Sequence, residues 1–537
     1  MVRIATLLCL LSWLPAPAQT VSGERIRAHV KFLSSDLLEG RGVGVRGGDL
    51  ATQYIATQFE LAGAKPAGDN GGYFQKVPLV GVTTQADARL TATGAGKTFS
   101  FRWLDDFVGA DRRQRPAGQF EAEAVFVGHG IVAPEYQWDD FKGADVKGKI
   151  LILFTNEPTA DPNLFKGRTL TYYGRWTYKY EQALRLGALG AFIIHTAPTA
   201  GYGWEVVRNS WSREDPYVKL APGEPELAFA GWLSQSAGGR LLALSGHSLE
   251  ELLKASESRS FRPIPLGVRL AASIRSGVRV LDTRNVAAMV PGVEPGEAVV
   301  FSAHWDHLGV GTPVNGDAIY NGAIDNATGC GILLEIAREW AALPHKPRRS
   351  ALFLAVTAEE GGLRGSEYYG QHPLIPPGKT AAAFNYDALK PFGRTTDVVV
   401  SGAERTTLWP LVEQVAKRFR LTIKPDPRPE QGSYYRSDHF SFARYGIPAL
   451  SIHNGNEFAG KPPGYGDEKF REYNSRHYHQ PSDEYQEEWD FTGLEEMARF
   501  GLVLGLETAN MRGLPAWNPG DEFLPAREAA LQAGRSR

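Results

Sequence analysis

Residues 351–366 read ALFLAVTAEEGGLRGS. The run Ala351 to Thr357 is short and apolar throughout, the pattern of a strand buried on both faces of a largely parallel sheet. It ends in adjacent carboxylates, Glu359 and Glu360. Glycines at 361, 362 and 365 follow, which suits a sharp turn carrying one metal ligand and one base. The same form recurs on both sides. VVFSAHWDHLG (299–309) leads from an apolar run into His304 and Asp306, and Ala381 to Tyr386 leads into Asp387 of FNYDAL (384–389). In open α/β sheets, ligands bind outside the carboxyl ends of the strands. This spacing predicts a mixed, largely parallel central sheet flanked by helices, with His304, Glu359, Glu360 and Asp387 converging on one pocket.

Two further segments add to that pocket. Asp325 in NGAIDNATG (321–329) follows a glycine turn and precedes a helical pattern, a place that also suits a helix N-cap. His479 lies in YHQPSD (478–483). Two imidazoles and three of the carboxylates make a hard N/O donor set suited to two divalent ions, with carboxylates left over. His304 alone is an ordinary strand-end histidine. Asp306 two residues later changes that, because a carboxylate on the second ring nitrogen would fix the tautomer and orientation of a metal-bound imidazole. A metal-dependent hydrolase is the chemistry that follows.

Length and composition set the frame. The chain has 537 residues, 43% of them hydrophobic, and a formal charge of -2, enough for two or three domains. No basic block or basic amphipathic helix points to nucleic acid or a membrane surface as partner. Met1 to Ala18 carries Arg3, an apolar run from Ile4 to Leu14 and an Ala-Pro-Ala ending, which reads as a secretory signal. The run is too short for a bilayer anchor, so an exported protein, periplasmic or secreted, is expected. Cys9 falls inside that segment. Cys330 is then the only cysteine left, so no internal disulfide is expected, and its helical context reads as buried packing.

Along the chain, 19–80 read as helices and strands of a first part of the main domain, and 81–275 as an inserted α/β region. Residues 276–512 form the metal-binding part, and 513–537 a tail. Glu24 to Leu61 shows two helices joined by the turn Leu38-Glu39-Gly40-Arg41-Gly42.

The motifs HWDH, AIDNATG, AEEGGLRGS, NYD, SDHFSF and HQPSD, in this order, resemble the co-catalytic di-zinc aminopeptidase and glutamate carboxypeptidase superfamily with an inserted protease-associated (PA) domain. That resemblance implies two zinc ions and peptide substrates. It casts Asp325 as the ligand shared by both ions, His304 and Asp387 completing one site, and Glu360 and His479 the other. It makes Glu359 the general base that activates a water between the ions, Asp306 the partner of His304, and Tyr434 a donor to the oxyanion. It also implies a cis peptide at Asp325-Asn326. An aminopeptidase is the leading activity, with a carboxypeptidase or dipeptidase as alternatives. A one-zinc glutaminyl cyclase and a non-catalytic receptor-like protein fit less well, because the full donor set is retained.

His307, His439, His453 and His477 are surplus to five ligands, with His439 a candidate substrate contact. In the inserted region, TYYGRWTYKYE (171–181) and YGWEVVRNSW (202–211) concentrate aromatics and arginines. Arg175, Trp176 and Trp204 either roof the cleft and contact substrate, or pack the insert.

Overall fold

The computed structural model describes residues 21–535 except 162, 168, 201 and 202. The expected signal segment lies outside the described residues. Among the described residues no helix is long and apolar enough to cross a membrane.

The main sheet is parallel at its centre. Arg349–Val356, Glu294–His304, Thr380–Asn385 and Ala449–Asn454 lie side by side as parallel neighbours. Antiparallel strands border them: Asp397–Ser401 on one side, and Val286–Val290 and then Phe74–Thr84 on the other. All eight residues of Arg349–Val356 are buried, which is why the stretch from Ala351 to Val356 is an unbroken apolar run rather than an alternating one. Phe301 packs against Phe353 and Phe384, its register partners on the two adjacent strands, with ring centroids 5.4 Å apart in each case. Three aligned rings in the middle of the sheet disfavour any slip of register, since a one-residue shift would turn them to the opposite face.

Helices cover both faces. On one side lie Gly23–Leu33, Arg46–Leu61, Thr328–Ala341 and Thr492–Asn510, sharing a core with Phe301, Phe353 and Trp340. Gly505 lets the last of these approach closely, because a Cβ there would lie 2.3 Å from Phe301 Cζ. On the other side Tyr369, Phe442 and Trp517 belong to a second cluster. Cys330 is buried in the first core, as its helical context predicted.

A second sheet joins the first through one strand, Ile264–Val290, of 27 residues. Its first half pairs with Ala117–Phe126 in the second sheet, and its later half with Phe74–Thr84 in the main one. The second sheet holds the parallel set Ala117–Phe126, Ile150–Phe154, Gly190–Ile194 and Phe229–Leu233, around a core of its own that includes Phe126, Phe154, Phe192 and Phe229. The expected boundaries after residues 80 and 275 both fall inside continuous strands, where no change of composition marks the passage. Asp215–Val218, from within the expected insert, pairs antiparallel with Phe74–Thr84 and so extends the main sheet.

Candidate metal centre

His304 is the last residue of Glu294–His304, paired with Val356 at the end of the neighbouring strand, and Asp387 follows Thr380–Asn385 by two residues. The carboxyl ends of the parallel strands therefore bring their loops together, as expected for such a sheet. Asp325 stands between two imidazoles. Its Oδ1 lies 3.2 Å from His304 Nε2, and its Oδ2 lies 3.3 Å from His479 Nε2. His304 Nε2 is also 3.1 Å from Asp387 Oδ1, and His479 Nε2 is 3.1 Å from Glu360 Oε2. The five donors thus fall into two lobes that share Asp325. Zinc bonds of about 2.0–2.1 Å in a tetrahedron put neighbouring donors about 3.3 Å apart, so these separations fit the edges of a zinc coordination shell.

The electrostatics also call for cations. Burial alone would lower the pKa of His304, but the Asp387 and Glu359 carboxylates and hydrogen bonding to Asp325 and Asp387 hold it well above the ordinary value. His479 behaves alike: burial opposes its charge, yet Glu360 and Asp325 raise it to about 10. Imidazoles that keep protons so firmly report a pocket whose carboxylates need compensating positive charge. Glu359 is the exception among the acids. Burial pushes its pKa well above the usual range, with Asp387, Glu360 and Asp438 adding repulsion. Its carboxyl is therefore suited to holding a proton.

The turns that carry the donors are sharply bent. Ala358, Ala388 and His479 are non-glycine residues with φ of 52°, 52° and 57°, a left-handed conformation that costs on the order of 1 kcal/mol each. Asp325-Asn326 is a cis peptide, as the family resemblance implies. Asn326 ties this turn to the Asp387 loop: its Oδ1 accepts from the N–H of Gly329 and Ala388, and its Nδ2 donates to Tyr386 O. Asp483 of the HQPSD segment accepts from the N–H of Ile324 (3.0 Å) and Asp325 (3.1 Å). Arg41, 1% exposed, donates to the carbonyls of Leu33, Trp305, Asn321 and Gly322. In the sequence Arg41 was visible only as part of a glycine-rich turn, since nothing local shows that three of its four partners lie 264 to 281 residues away.

Several expectations need correction. Asp306 does not turn its carboxylate to His304: the ring Nδ1 lies 3.1 Å from the Asp306 main-chain carbonyl, with the nearer carboxylate oxygen at 3.9 Å. The carboxylate instead accepts the N–H groups of Glu359 (3.2 Å) and Glu360 (3.4 Å), clamping the turn that bears them. The Tyr434 hydroxyl donates to Ala449 O at 3.0 Å. His439 is buried with its ring 4.6 Å from that of Tyr434. Trp176 packs edge-on against Tyr180 and Trp211, and Trp204 Nε1 donates to Leu104 O; both rings border the core of the second sheet. Arg175 is the N-cap of the helix Trp176–Arg185, next to Trp176.

His307, set aside as surplus, lies in the cluster. Its Nδ1 is 2.5 Å from Glu360 Oε1, and it forms a possible metal-holding group with Asp325 and Glu360. The region expected as an insert reaches the centre elsewhere. Arg364 Nε donates to Pro216 O (3.0 Å), and a Cβ on Gly361 would lie 2.1 Å from Pro216 Cγ, so Pro216 lies flush against the turn after Glu360.

Residues 285–503 match the model of peptidase family M28, a stretch that contains every donor described above. Over 371 residues the chain is 26% identical to a probable glutamate carboxypeptidase of Arabidopsis thaliana, covering 60% of this chain and 48% of that protein. Over 142 residues it is 31% identical to a probable leucine aminopeptidase of Aspergillus oryzae, covering 26% of this chain and 25% of that protein. The chain thus spans about half or less of the length of these curated relatives. Among solved structures, the aminopeptidase from Aneurinibacillus sp. strain AM-1 superposes with a TM-score of 0.52 at 19% identity, covering 93% of this chain and 97% of that one, and so shares the fold.

Proposed function

We propose that this chain, with its M28 peptidase match, is an exported zinc aminopeptidase that removes N-terminal residues from peptides. The observation that carries the reading is Asp325, whose two oxygens are divided between the His304/Asp387 lobe and the His479/Glu360 lobe. The donor set fits two zinc ions, which when bound would polarise a peptide carbonyl and acidify a water. Asp325 would be held by both ions.

The chain's own residues supply the rest. Glu359, whose burial raises the proton affinity of its carboxylate, takes as carboxylate the proton of the attacking water and returns it to the leaving amine. Asp306 fixes the Glu359–Glu360 turn through its two N–H groups, and Asp483 fixes the Asp325 turn in the same way. Residues 81–275 are read as an inserted region that contains a PA domain, and the region borders the site through Pro216.

The test is Glu359→Gln, which preserves shape and removes the proton shuttle. Zinc content should stay at two per chain while kcat falls by about 10²–10⁴-fold. Near-normal turnover would move the base elsewhere, and loss of zinc would assign Glu359 to metal binding. Peptides with free or blocked ends, read by mass spectrometry, separate an aminopeptidase from a carboxypeptidase or dipeptidase: an N-terminal block should abolish cleavage.

A further inference from the structure

Two cations stand beside the donor cluster, and among the described residues neither forms an ion pair. Lys390 follows Asp387 by three residues. Asn454, at the end of Ala449–Asn454, fixes its backbone from both sides: Lys390 N–H donates to Asn454 Oδ1 (3.3 Å), and Asn454 Nδ2 donates to Lys390 O (3.1 Å). The ammonium donates to Ala388 O at 2.7 Å and lies 5.3 Å from the centre of the Tyr473 ring and 5.7 Å from that of Phe470. Arg428 places its guanidinium 3.3 Å from the centre of the same Phe470 ring.

The location is set by Tyr473. Its hydroxyl donates to Asp483 Oδ2 (3.2 Å), the carboxylate that receives the N–H groups of Ile324 and Asp325. The cations and their aromatic wall therefore lie next to the turn of the shared aspartate and to the Asp387 loop. Burial lowers the pKa of Lys390 to about 8, with Asp387 and Asp325 opposing that fall, and burial also lowers that of Arg428 against Asp426, Asp467 and Glu430, so both give up hydration with no carboxylate in ion-pair contact among the described residues. An incoming carboxylate would restore that loss with charge-assisted hydrogen bonds.

We propose that Lys390 and Arg428, with Phe470 between them and Tyr473 beside Lys390, form a subsite for a carboxylate of the peptide substrate. The proposal rests on the peptidase reading above. The carboxylate has two sources, an acidic side chain at the scissile residue or the C-terminus of a short peptide, and matched substrates separate them.

The experiment uses the full chain loaded with zinc and measures kcat/KM on two pairs: glutamyl against glutaminyl p-nitroanilide, and alanyl-alanine against its amide. The wild type is expected to favour the carboxylate member of one pair by roughly tenfold or more, which names the source. Lys390→Met and Arg428→Met should each bring that ratio towards one, mainly through KM, and Lys390→Arg should restore part of it. Melting temperatures confirm that the variants fold; should Lys390→Met fail to fold, the half-buried Arg428→Met carries the test. No preference in either pair, or variants that leave the ratio unchanged, would overturn the subsite while neutral peptides are still cleaved. If the zinc-loaded wild type cleaves no peptide at all, the peptidase reading itself fails, and the subsite with it.

Discussion

Arg41→Met should weaken the fold and the metal centre together. The guanidinium donates to Leu33 O and Asn321 O at 2.6 Å and to Trp305 O and Gly322 O at 2.8 Å, with Asp325 O at 3.5 Å. Methionine fills much of the same volume but leaves the four nearer carbonyls without their donor in a buried site. A hydrogen bond to a charged group contributes about 1.5–3 kcal/mol net, so four would sum to about 6–12 kcal/mol if independent. They share one side chain, and relaxation recovers part of the loss, so about 4 kcal/mol is expected. Because Gly322 and Asp325 belong to the turn of the shared ligand, zinc affinity should fall on the order of tenfold as well. Arg41→Lys, with three donors for four carbonyls, should fall between. Chemical denaturation of the metal-free protein and titration with a competing chelator read the two effects separately. A denaturation midpoint equal to wild type, or lost stability with unchanged zinc affinity, would refute the role assigned to Arg41.

Three other outcomes are expected. Burial lowers His29 to about 4 from an ordinary value of 6.5, so the unfolded chain binds more protons between these pH values. Its contribution is complete above 6.5 and is lost as pH falls towards 4, by about 1–2 kcal/mol once partial exposure is discounted; His29→Gln should flatten the melting-temperature profile over that window, and parallel profiles would contradict it. Gly361→Ala drives a methyl into the rigid Pro216 ring and should displace the turn bearing Glu359, lowering kcat at least tenfold; unchanged steady-state kinetics would remove Pro216 as a support. Trp176→Ala with Trp204→Ala should lower the melting temperature and leave relative rates on dipeptides and longer peptides unchanged, and a shift in length preference would bring back the roof role.

The sequence showed the strands and the donors because both are local signals. Ala351 to Val356 is buried on both faces and reads as apolar at every position, and His304, Glu359, Glu360 and Asp387 lie at or just after the ends of such runs, whereas Asp325 and His479 stand in turn motifs. The supports are not local. Arg41 receives its role from carbonyls of residues 305, 321 and 322, and Pro216 from a turn at 361. Trp176 and Trp204 were ambiguous for a related reason: an aromatic-rich segment looks the same whether its rings meet substrate or one another.

Asp306 shows where such inference ends. A carboxylate and a carbonyl of the same residue both lie within reach of His304, and residue spacing cannot distinguish them. The backbone decides: it turns the carbonyl to Nδ1 at 3.1 Å and leaves the carboxylate to accept two N–H groups at residues 359 and 360. His304 is thereby oriented by a neutral group, while the negative charge of Asp306 is placed under the turn that carries Glu359. Burial raises the Asp306 pKa to about 6 even so, with His304 and the N–H of Glu359 opposing that rise. Asp306→Asn follows as a discriminating change: an amide keeps one acceptor oxygen for one of the two N–H groups and leaves the carbonyl on His304 untouched. It should therefore lower kcat through a loosened Glu359 while zinc affinity changes little, whereas a carboxylate acting on His304 would have made zinc affinity the first property to fall.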